Sequence, residues 1–316
     1  MKAADVAPRV GDLRQFASVR QVVLDDGAER GVRALLFSTG GGFDFLVTVD
    51  RSLDIGTLHY KGTPIAWQSA QGLRSPFLND VEGEGGKGFD RSFSGLLATC
   101  GLDHIRQPQD TSPLHGRLPF TPARLRAYGE DWDRDEPVLY CEGEVIEAAY
   151  GKENLKLIRR IEAPIGGTEL RIFDKVVNEG PTAWPHAVMY HINFGYPAVA
   201  DGSLLRLGDD DIWPPIQLAD AGMKPVVRLL PSPPGKSATA SITTPGAHPL
   251  RISVEIDTET LPFVQFWKDL RPRVGVLAIE PCSSGRKPDG TSEGELVLQP
   301  GESRSYRLRI AVGEPG

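Results

Sequence analysis

The chain has 316 residues, with 35 Lys and Arg against 42 Asp and Glu, which gives a formal net charge of −7. This mildly acidic balance lacks the basic patch or stripe that is typical of nucleic-acid-binding proteins. No window approaches the roughly 18 apolar residues of a membrane span, and the first residues lack the apolar core of a signal peptide. The sequence therefore predicts a globular protein with no nucleic-acid or membrane partner.

The three cysteines, Cys100, Cys141 and Cys282, are far apart and show no C-x-x-C spacing. An odd number of widely spaced cysteines is typical of reduced thiols that contribute to packing. Because reduced cysteines are usual in the cytoplasm, we expect a cytoplasmic protein.

Alternation of apolar and polar residues is the dominant pattern along the chain. Successive side chains of a strand point to opposite faces, so this pattern predicts half-buried strands of antiparallel sheet. The segments that show it are, in chain order, FDFLVTVD (43–50), NLKLIRRIEA (154–163), ELRIFDKVVN (169–178), ISVEID (252–257), GELVLQ (294–299) and YRLRIAV (306–312). No stretch of a dozen residues keeps a helical period, and 35 Gly and 26 Pro interrupt the chain. We predict an all-β protein, a large antiparallel β-sandwich in which residues 1–316 form one domain.

Two loop-rich stretches, residues 72–92 and 208–236, interrupt the alternation. The first contains a G-x-G-x-x-G match from Gly83 to Gly88, but the dinucleotide fingerprint requires a strand before it and a helix after it. The flanks LNDVE and FDRSF predict neither element, so we interpret the segment as a flexible surface loop. A metal site formed by His186 and His191 is also disfavoured, because their offset of five places them on opposite faces of a strand.

Three short segments each place a titratable residue at or near the end of an apolar run. They are Leu114-His115-Gly116-Arg117, the segment MYHINFG around His191, and Ala278-Ile279-Glu280-Pro281. Taken alone, His115 and the nearby His104 are more typical of histidines that are hydrogen-bonded within a core. Glu280 differs, because a carboxylate that ends an apolar strand is costly to bury unpaired. It is therefore a candidate for a raised pKa and for proton transfer.

The order and wording of these segments resemble the aldose 1-epimerase (galactose mutarotase-like) superfamily, and most of all its DUF4432 branch. The resemblance extends from about residue 30 to the C-terminus. Four stretches carry it: DRSLDIGTLHYKGTPIAW (50–67), SGLLATCGLDHIRQP through LHGR (94–117), VMYHINFGYP (188–197) and LPFVQFWKDLRPRVGVLAIEP (261–281). It implies a galactose mutarotase-like sandwich that interconverts the α and β anomers of an aldose, acting as a monomer or homodimer.

The resemblance also implies roles for individual residues. The general acid of the family corresponds to His191, its general base to Glu280, and a substrate-binding histidine to His115. The N-R-I triplet that usually precedes the His-Gly pair is replaced by CGLDHIR, in which Arg106 or His104 takes the place of the arginine, or neither does.

Anomer exchange by ring opening needs one base for the proton on O1 and one acid for the ring oxygen O5, and no cofactor or metal. A carboxylate is suited to the first task and an imidazolium to the second. We expect burial to raise the pKa of Glu280, and a neighbouring carboxylate to raise that of His191.

Further sugar contacts are predicted from Arg51, Asp54, Trp267 and Lys268. Arg51 and Asp54 could instead pair with one another, and Trp267 could belong to the core. Because residues 267 and 268 alternate across a strand, both should not face the sugar. Lys268, together with Arg51 and Arg106, would suit a carboxylated or sulfonated sugar.

Two other functions fit the same sequence. One is a non-catalytic carbohydrate-binding or sugar-sensing protein on this fold, since a fold does not determine a function. The other is a carbohydrate lyase or hydrolase, which would need a second carboxylate or a tyrosine near Glu280, with Tyr190 and Asp54 as candidates. The presence of both His191 and Glu280 favours the isomerase, because a binding protein needs neither an acid nor a base.

Overall fold

The alternating segments form long antiparallel strands in the computed structural model, which describes residues 1–218, 224–246, 249–294 and 296–315. Strands account for 48% of the residues and helices for 8%, which confirms the predicted all-β class. The α-helices are one-turn segments, α1 (Ala3–Val6) and α2 (Gly83–Gly86). Short 3-10 turns cover Ala7–Arg9, Leu13–Gln15, Gly27–Glu29, Pro76–Leu78 and Gly88–Arg91. Within the described ranges, no helix is long and apolar enough to cross a membrane.

The strands are, in chain order, β1 (Ser18–Val23), β2 (Arg33–Ser38), β3 (Phe43–Thr48), β4 (Asp54–Tyr60), β5 (Thr63–Pro64), β6 (Leu97–Leu102), β7 (Arg124–Asp131), β8 (Val138–Ala148), β9 (Asn154–Pro164), β10 (Glu169–Asn178), β11 (Trp184–Phe194), β12 (Leu204–Leu207), β13 (Asp210–Asp211), β14 (Val226–Pro231), β15 (Ser237–Thr244), β16 (Leu250–Asp257), β17 (Phe263–Asp269), β18 (Val276–Cys282), β19 (Gly285–Arg286), β20 (Ser292–Glu293), β21 (Leu296–Leu298) and β22 (Ser303–Gly313).

These strands form three large sheets and one small one. A five-stranded sheet has the order β1-β2-β3-β4-β5, and a nine-stranded sheet has the order β13-β12-β15-β16-β22-β10-β9-β8-β7. A six-stranded sheet has the order β14-β17-β18-β11-β21, with β6 also paired to β11, and β19 pairs with β20. One hydrophobic core contains residues from all three large sheets, for example Phe45, Val254 and Ile279. The structure therefore has the sandwich architecture that the alternation predicts.

The predicted burial alternation holds in some strands and fails in others. In β16, Ile252, Val254 and Ile256 are fully buried, while the intervening residues are partly exposed, as predicted. In FDFLVTVD the polar face was expected to be open, but Thr48 and Asp50 are buried too. The hydroxyl of Thr48 donates to the carbonyl oxygen of Asp54, and Asp50 forms an ion pair with Arg33. Because both side chains have polar partners, their burial carries little energetic cost.

The six-stranded sheet is covered on both faces, and this arrangement creates the cleft described below. On β11, Tyr190, Ile192 and Phe194 belong to the main core. Met189 points to the opposite face and packs with Cys282 in a smaller core. The smaller core is completed by side chains from the long connections on either side of β6: Phe89, Ile105, Leu114 and Phe120. The three cysteines are buried and free, as predicted.

The two predicted loop stretches differ from the expectation in detail. The segment with the G-x-G-x-x-G match forms the short helix α2 and a following 3-10 turn, in which Gly88 and Phe89 are buried. A side chain at Gly88 would lie 1.7 Å from the carbonyl oxygen of Asp80, so this glycine allows a close backbone approach. The stretch 208–236 contains β13 and β14, and its residues 219–223 lie outside the described residues. That residues 1–316 form one domain stays a prediction.

Candidate active site

The antiparallel register places three polar side chains in one row across adjacent strands. Gln265 on β17 pairs directly with Glu280 on β18. His191 precedes Ile192 on β11, and Ile192 pairs with Ile279, so His191 lies opposite Glu280. Directly opposed residues project from the same face of a sheet, which explains why residues far apart in sequence meet here. The row lies on the face that the main core leaves free.

Glu280 and His191 form the centre of this row. The Nε2 atom of His191 lies 3.4 Å from Oε1 of Glu280. Glu280 is completely buried, and His191 is only 4% exposed. Oε1 of Glu280 has no hydrogen-bond partner among the described residues, whereas Oε2 accepts a hydrogen bond from Nε2 of Gln265 at 2.5 Å. One carboxylate oxygen is therefore held by Gln265, while the other faces Nε2 of His191 without a hydrogen bond.

Asn193 determines which nitrogen of His191 faces the ligand. The carboxamide nitrogen of Asn193 donates to the carbonyl oxygens of Gly95 and His191, both at 3.1 Å. Its oxygen Oδ1 is therefore an acceptor and lies 2.6 Å from Nδ1 of His191. Nδ1 carries the hydrogen in this contact, which leaves Nε2 directed at Glu280 for proton exchange.

Burial shifts the pKa of Glu280 in the predicted direction and that of His191 in the opposite direction. Burial raises the pKa of Glu280 to about 7, with smaller opposing effects from Gln265, Arg106 and Arg286. Burial lowers the pKa of His191 to about 4, against a small opposing effect of its hydrogen bond to Asn193. The expectation that a carboxylate raises the pKa of His191 is wrong. The direct partner of the imidazole is a neutral carboxamide, and burial dominates the shift.

Arg106 lies behind Gln265 and fixes the orientation of its carboxamide. Nη1 of Arg106 donates to Oε1 of Gln265 at 2.9 Å, so Nε2 of Gln265 is directed at Glu280. Nη2 of Arg106 donates to the carbonyl oxygen of Ser284 at 2.6 Å and to Sγ of Cys282 at 3.4 Å. The guanidinium is 2% exposed and is held by these protein groups. Its position makes it a positioning group for the carboxylate.

The His115-Gly116 pair forms a tight turn at the edge of the cleft. The amide of His115 donates to the carbonyl oxygen of Arg106 at 2.9 Å, and its carbonyl accepts from Gly101 at 3.0 Å. Gly116 has a φ of +81°, and a Cβ there would lie 2.3 Å from the carbonyl oxygens of Gly101 and His104. Only glycine fits this conformation and this close approach. The turn therefore fixes the backbone of His115.

The imidazole of His115 is a neutral hydrogen-bonding group. Its Nδ1 lies 2.9 Å from the carbonyl oxygen of Ile105, which can only accept, so Nδ1 carries the hydrogen and Nε2 is an acceptor. Burial, and then the charge of His191, lower the pKa of His115 to about 3. The rings of His115 and His191 lie 5.7 Å apart. His115 is thus suited to accept a hydrogen bond from a ligand hydroxyl group.

A cleft of about 270 Å³ is lined by Arg106, His115, His191, Gln265 and Glu280. Its aromatic wall consists of Phe89, Phe93 and Trp267, and the rings of Phe93 and Trp267 lie 4.9 Å and 5.6 Å from that of His191. The charged residues that line the cleft are Lys87, Asp90, Arg106, Glu280 and Arg286. The volume lies just below the ~300–1,000 Å³ that is typical of small-molecule sites, and the combination of apolar walls with a few polar groups is typical of them, so the cleft suits a small ligand such as a single sugar ring.

Arg51 and Asp54, predicted as sugar ligands, do not line the cleft. Arg51 is 2% exposed, donates to the carbonyl oxygens of Arg74 and Ser92 at 2.7 Å, and lies over the ring of Phe120. It therefore anchors the segment that carries Phe89 and Phe93.

Asp54 belongs to a buried network that joins the sheets. Its Oδ1 accepts from Nη1 of Arg159 at 2.7 Å and from the hydroxyl of Thr99 at 2.6 Å. Arg159 also binds Asp174, which accepts from the hydroxyl of Tyr190 at 2.8 Å. Arg51 and Asp54 do not form the hydrogen-bonded pair that was considered, and Tyr190 faces away from the cleft with Asp54.

His104 and Lys268 also lie outside the cleft. Nε2 of His104 contacts the carbonyl oxygen of Gln107 at 2.7 Å, and its side chain lines a separate cleft of about 370 Å³ with Asp103 and Arg117. Nζ of Lys268 lies 4.6 Å from the ring centre of Trp213. Trp267 lines the cleft while Lys268 does not, in agreement with the predicted alternation. Of the two residues considered for the missing family arginine, only Arg106 borders the cleft.

Sequence reasoning missed Gln265, Asn193 and Arg286. Gln265 lies two residues before Trp267 on the same strand, so alternation alone could have placed both on one face. Asn193 lies two residues after His191 and could have been found in the same way. No local pattern in the sequence distinguishes Arg286. Among the described ranges, no group of three or more His, Cys, Asp or Glu side chains is arranged to hold a metal ion.

Comparison with known proteins identifies a family and a fold. A family model described as "Domain of unknown function (DUF4432)" matches residues 29–312. No curated protein matches the sequence.

Solved structures resemble the chain over nearly its whole length. A Klebsiella pneumoniae protein provisionally described as an aldose 1-epimerase has a TM-score of 0.84 and 19% identity, covering 99% of this chain and 87% of its own. A galactose mutarotase-like protein from Clostridium acetobutylicum has a TM-score of 0.64 and 14% identity, covering 95% and 100%. A galactose 1-epimerase from Lactobacillus acidophilus has a TM-score of 0.57 and 12% identity, covering 94% and 99%. The TM-scores and coverage show that the chain has the galactose mutarotase-like fold.

Proposed function

The chain belongs to the DUF4432 family, and we propose that it is a mutarotase that interconverts the α and β anomers of a sugar by acid–base ring opening. The observation that carries this proposal is the contact between Nε2 of His191 and Oε1 of Glu280 at 3.4 Å, inside a cleft of the size of one sugar ring. Oε1 has no other partner among the described residues, so it is free to meet a substrate hydroxyl.

The proposed reaction moves two protons and breaks one ring bond. The carboxylate of Glu280 takes the proton from O1 while the imidazolium of His191 gives one to O5. The C1–O5 bond then breaks and C1 becomes the aldehyde carbon. Rotation about C1–C2 exposes the other face of the aldehyde. Closure reverses both transfers: O5 returns its proton to His191, and Glu280 returns a proton to O1.

The scheme requires a defined distribution of protons between the two side chains. The pair needs one shared proton, which sits on His191 before ring opening and on Glu280 after it. The pKa values of about 7 for Glu280 and about 4 for His191 favour the second distribution. Ring opening therefore starts from the less populated distribution, in which the proton lies on Nε2 of His191, 3.4 Å from Oε1 of Glu280.

The remaining polar side chains would hold the sugar. Nε2 of His115 accepts from a hydroxyl group, and Trp267 and Phe93 provide an apolar surface for the ring. Neither Asp54 nor Tyr190 reaches the cleft, which disfavours a lyase or hydrolase that would use them. The sequence-based suggestion of an acidic sugar cannot rest on Arg51 or Lys268, because neither lines the cleft.

Equilibrium anomer exchange measured by NMR tests the proposal. We expect Glu280→Gln and His191→Asn each to lower the exchange rate by about 10²-fold or more, since a positioned acid or base contributes about 10²–10⁴-fold. His59→Asn is the matched control, because His59 lies on β4 and lines a different cleft. The panel comprises neutral hexoses, pentoses, uronic acids and sulfonated sugars. If no sugar exchanges faster with the wild type than in buffer, yet one of them binds, the protein is a sugar-binding protein and the mutarotase proposal is wrong.

A further inference from the structure

The cleft contains a second guanidinium whose surroundings differ from those of Arg106. Arg286 ends the short strand β19 and lines the same cleft as Glu280 and His191. Arg106 has hydrogen bonds to Gln265, Ser284 and Gly285. Arg286 is partly buried but makes no side-chain hydrogen bond or ion pair with any residue in the described part of the chain. The N–H groups of this guanidinium are therefore available to a bound anion.

The backbone beside Arg286 leaves room for its guanidinium. Gly290 also lines the cleft and has a φ of +90°. A Cβ at Gly290 would lie 3.1 Å from Nη2 of Arg286 and 3.0 Å from Cγ of Gln107. The guanidinium of Arg286 therefore lies close to the backbone of Gly290, and it lines the same cleft as Glu280 and His191.

The balance of charges in the cleft is positive. Its cationic side chains are Lys87, Arg106 and Arg286, and its carboxyl groups are Asp90 and Glu280. The pKa of Glu280 is about 7, so this carboxyl group is largely neutral in weakly acidic solution. Burial raises the pKa of Asp90, and the charge of Lys87 opposes this shift in part. The guanidinium groups then remain without a carboxylate partner among the residues that line the cleft.

We propose that Arg286 binds an anionic group of the substrate, so that the sugar carries a carboxylate, sulfonate or phosphate. This inference rests on the proposed function for the identity of the substrate as a sugar. A guanidinium presents two parallel N–H groups to such an anion, and these charge-assisted hydrogen bonds are about twice as strong as neutral ones. A neutral hexose would offer this cation no charged partner.

The test compares sugars that differ only in charge. A neutral hexose, the matching uronic acid, the 6-sulfonated hexose and the hexose 6-phosphate are measured for anomer exchange by NMR and for binding by calorimetry, in the gluco and galacto series. We expect the wild type to prefer at least one anionic sugar by 10-fold or more, and the member that is preferred identifies the anion. Arg286→Gln should remove this preference, whereas Arg286→Lys, which keeps the charge, should retain part of it.

Lys268→Gln is the matched control, because Lys268 is a cation on β17 of the six-stranded sheet that does not line the cleft. This variant should keep the preference. The anion proposal would be overturned if Arg286→Gln lowered the exchange rates of neutral and anionic sugars equally. It would also be overturned if the wild type exchanged the neutral sugar faster than every anionic one. In both cases the mutarotase proposal would stand. If an anionic sugar binds in an Arg286-dependent manner but does not exchange, the anion site stands and the mutarotase proposal fails. Thermal unfolding of each variant shows whether it folds. If Arg286→Gln does not fold, the preference for the anionic sugar is tested with Arg286→Lys alone.

Discussion

The carboxamide of Gln265 donates to Oε2 of Glu280 at 2.5 Å from the directly opposing position of the neighbouring strand. Because Arg106 occupies Oε1 of the same carboxamide, Gln265 can only present its N–H group to the carboxylate. The three side chains form a chain of hydrogen bonds from a buried cation to the proposed base. This chain stabilises the charged form of Glu280 against the dominant effect of burial.

The first prediction concerns this hydrogen-bonded chain. Replacing Gln265 by Met keeps the approximate length of the side chain but removes the donor to Glu280. Since a hydrogen bond to the charged form lowers the pKa, its loss should raise the pKa of Glu280 above about 7. The alkaline limb of kcat/KM for anomer exchange should shift to higher pH. Gln299→Met, an exposed substitution outside the cleft, serves as the control. An unchanged limb would show that Gln265 contributes only to packing.

The second prediction is a bell-shaped pH dependence. Catalysis needs one proton on the Glu280–His191 pair, and the pair loses it above a pKa of about 7 and gains a second below about 4. We therefore expect kcat/KM to be highest between about pH 4 and pH 7 and to fall on both sides, with apparent values that belong to the pair. A lone carboxylate base would behave differently, because its activity would rise with pH and then stay constant. A profile that rises through pH 7 without a later decline would contradict the shared proton.

The third prediction separates stability from activity at Asp54. This carboxylate binds Arg159 and Thr99 in the buried network between the sheets, away from the cleft. Breaking a buried ion pair by removing one charge typically costs 3–5 kcal/mol, because the other charge is left uncompensated. Asp54→Asn should lower the free energy of unfolding by about that amount, measured by urea denaturation, while kcat per folded molecule changes little. Asp133→Asn, at an exposed position, should change the free energy of unfolding by less than about 0.5 kcal/mol. A stable but inactive Asp54→Asn variant would return this residue to the list of catalytic candidates.

The sequence predicted the class of fold well, because alternation in β16, β10 and β22 is a local signal that sheet formation preserves. It predicted less about the partners of polar residues, since alternation gives a face but not a neighbour. Arg51 and Asp54 illustrate this limit. The sequence does not distinguish side chains that bind a sugar from side chains that bind other groups of the protein, as these two do. The opposition of Gln265, Glu280 and His191 depends on the register of three strands that no local pattern encodes. The lowered pKa of His191 depends on burial and a neutral partner, both of which are tertiary properties.

The last prediction concerns the glycine that follows His115. Gly116 and Gly62 have nearly the same positive φ, +81° and +80°. A Cβ at Gly62 meets nothing within 4 Å, whereas one at Gly116 would lie 2.3 Å from two carbonyl oxygens. Gly62→Ala should therefore cost only the strain of the left-handed conformation, about 1–2 kcal/mol, and leave activity unchanged.

Gly116→Ala adds a steric conflict to this strain. The turn must shift, and His115 should move with it, because its amide and carbonyl groups bond the segments that the new Cβ would displace. We expect a larger loss of stability than in Gly62→Ala and a raised KM for the sugar, measured by thermal unfolding and by anomer exchange. Because His115 binds the substrate in the proposed reaction and transfers no proton, kcat should fall less than KM rises. Equal stability losses in the two alanine variants, with an unchanged KM, would mean that the turn does not position His115.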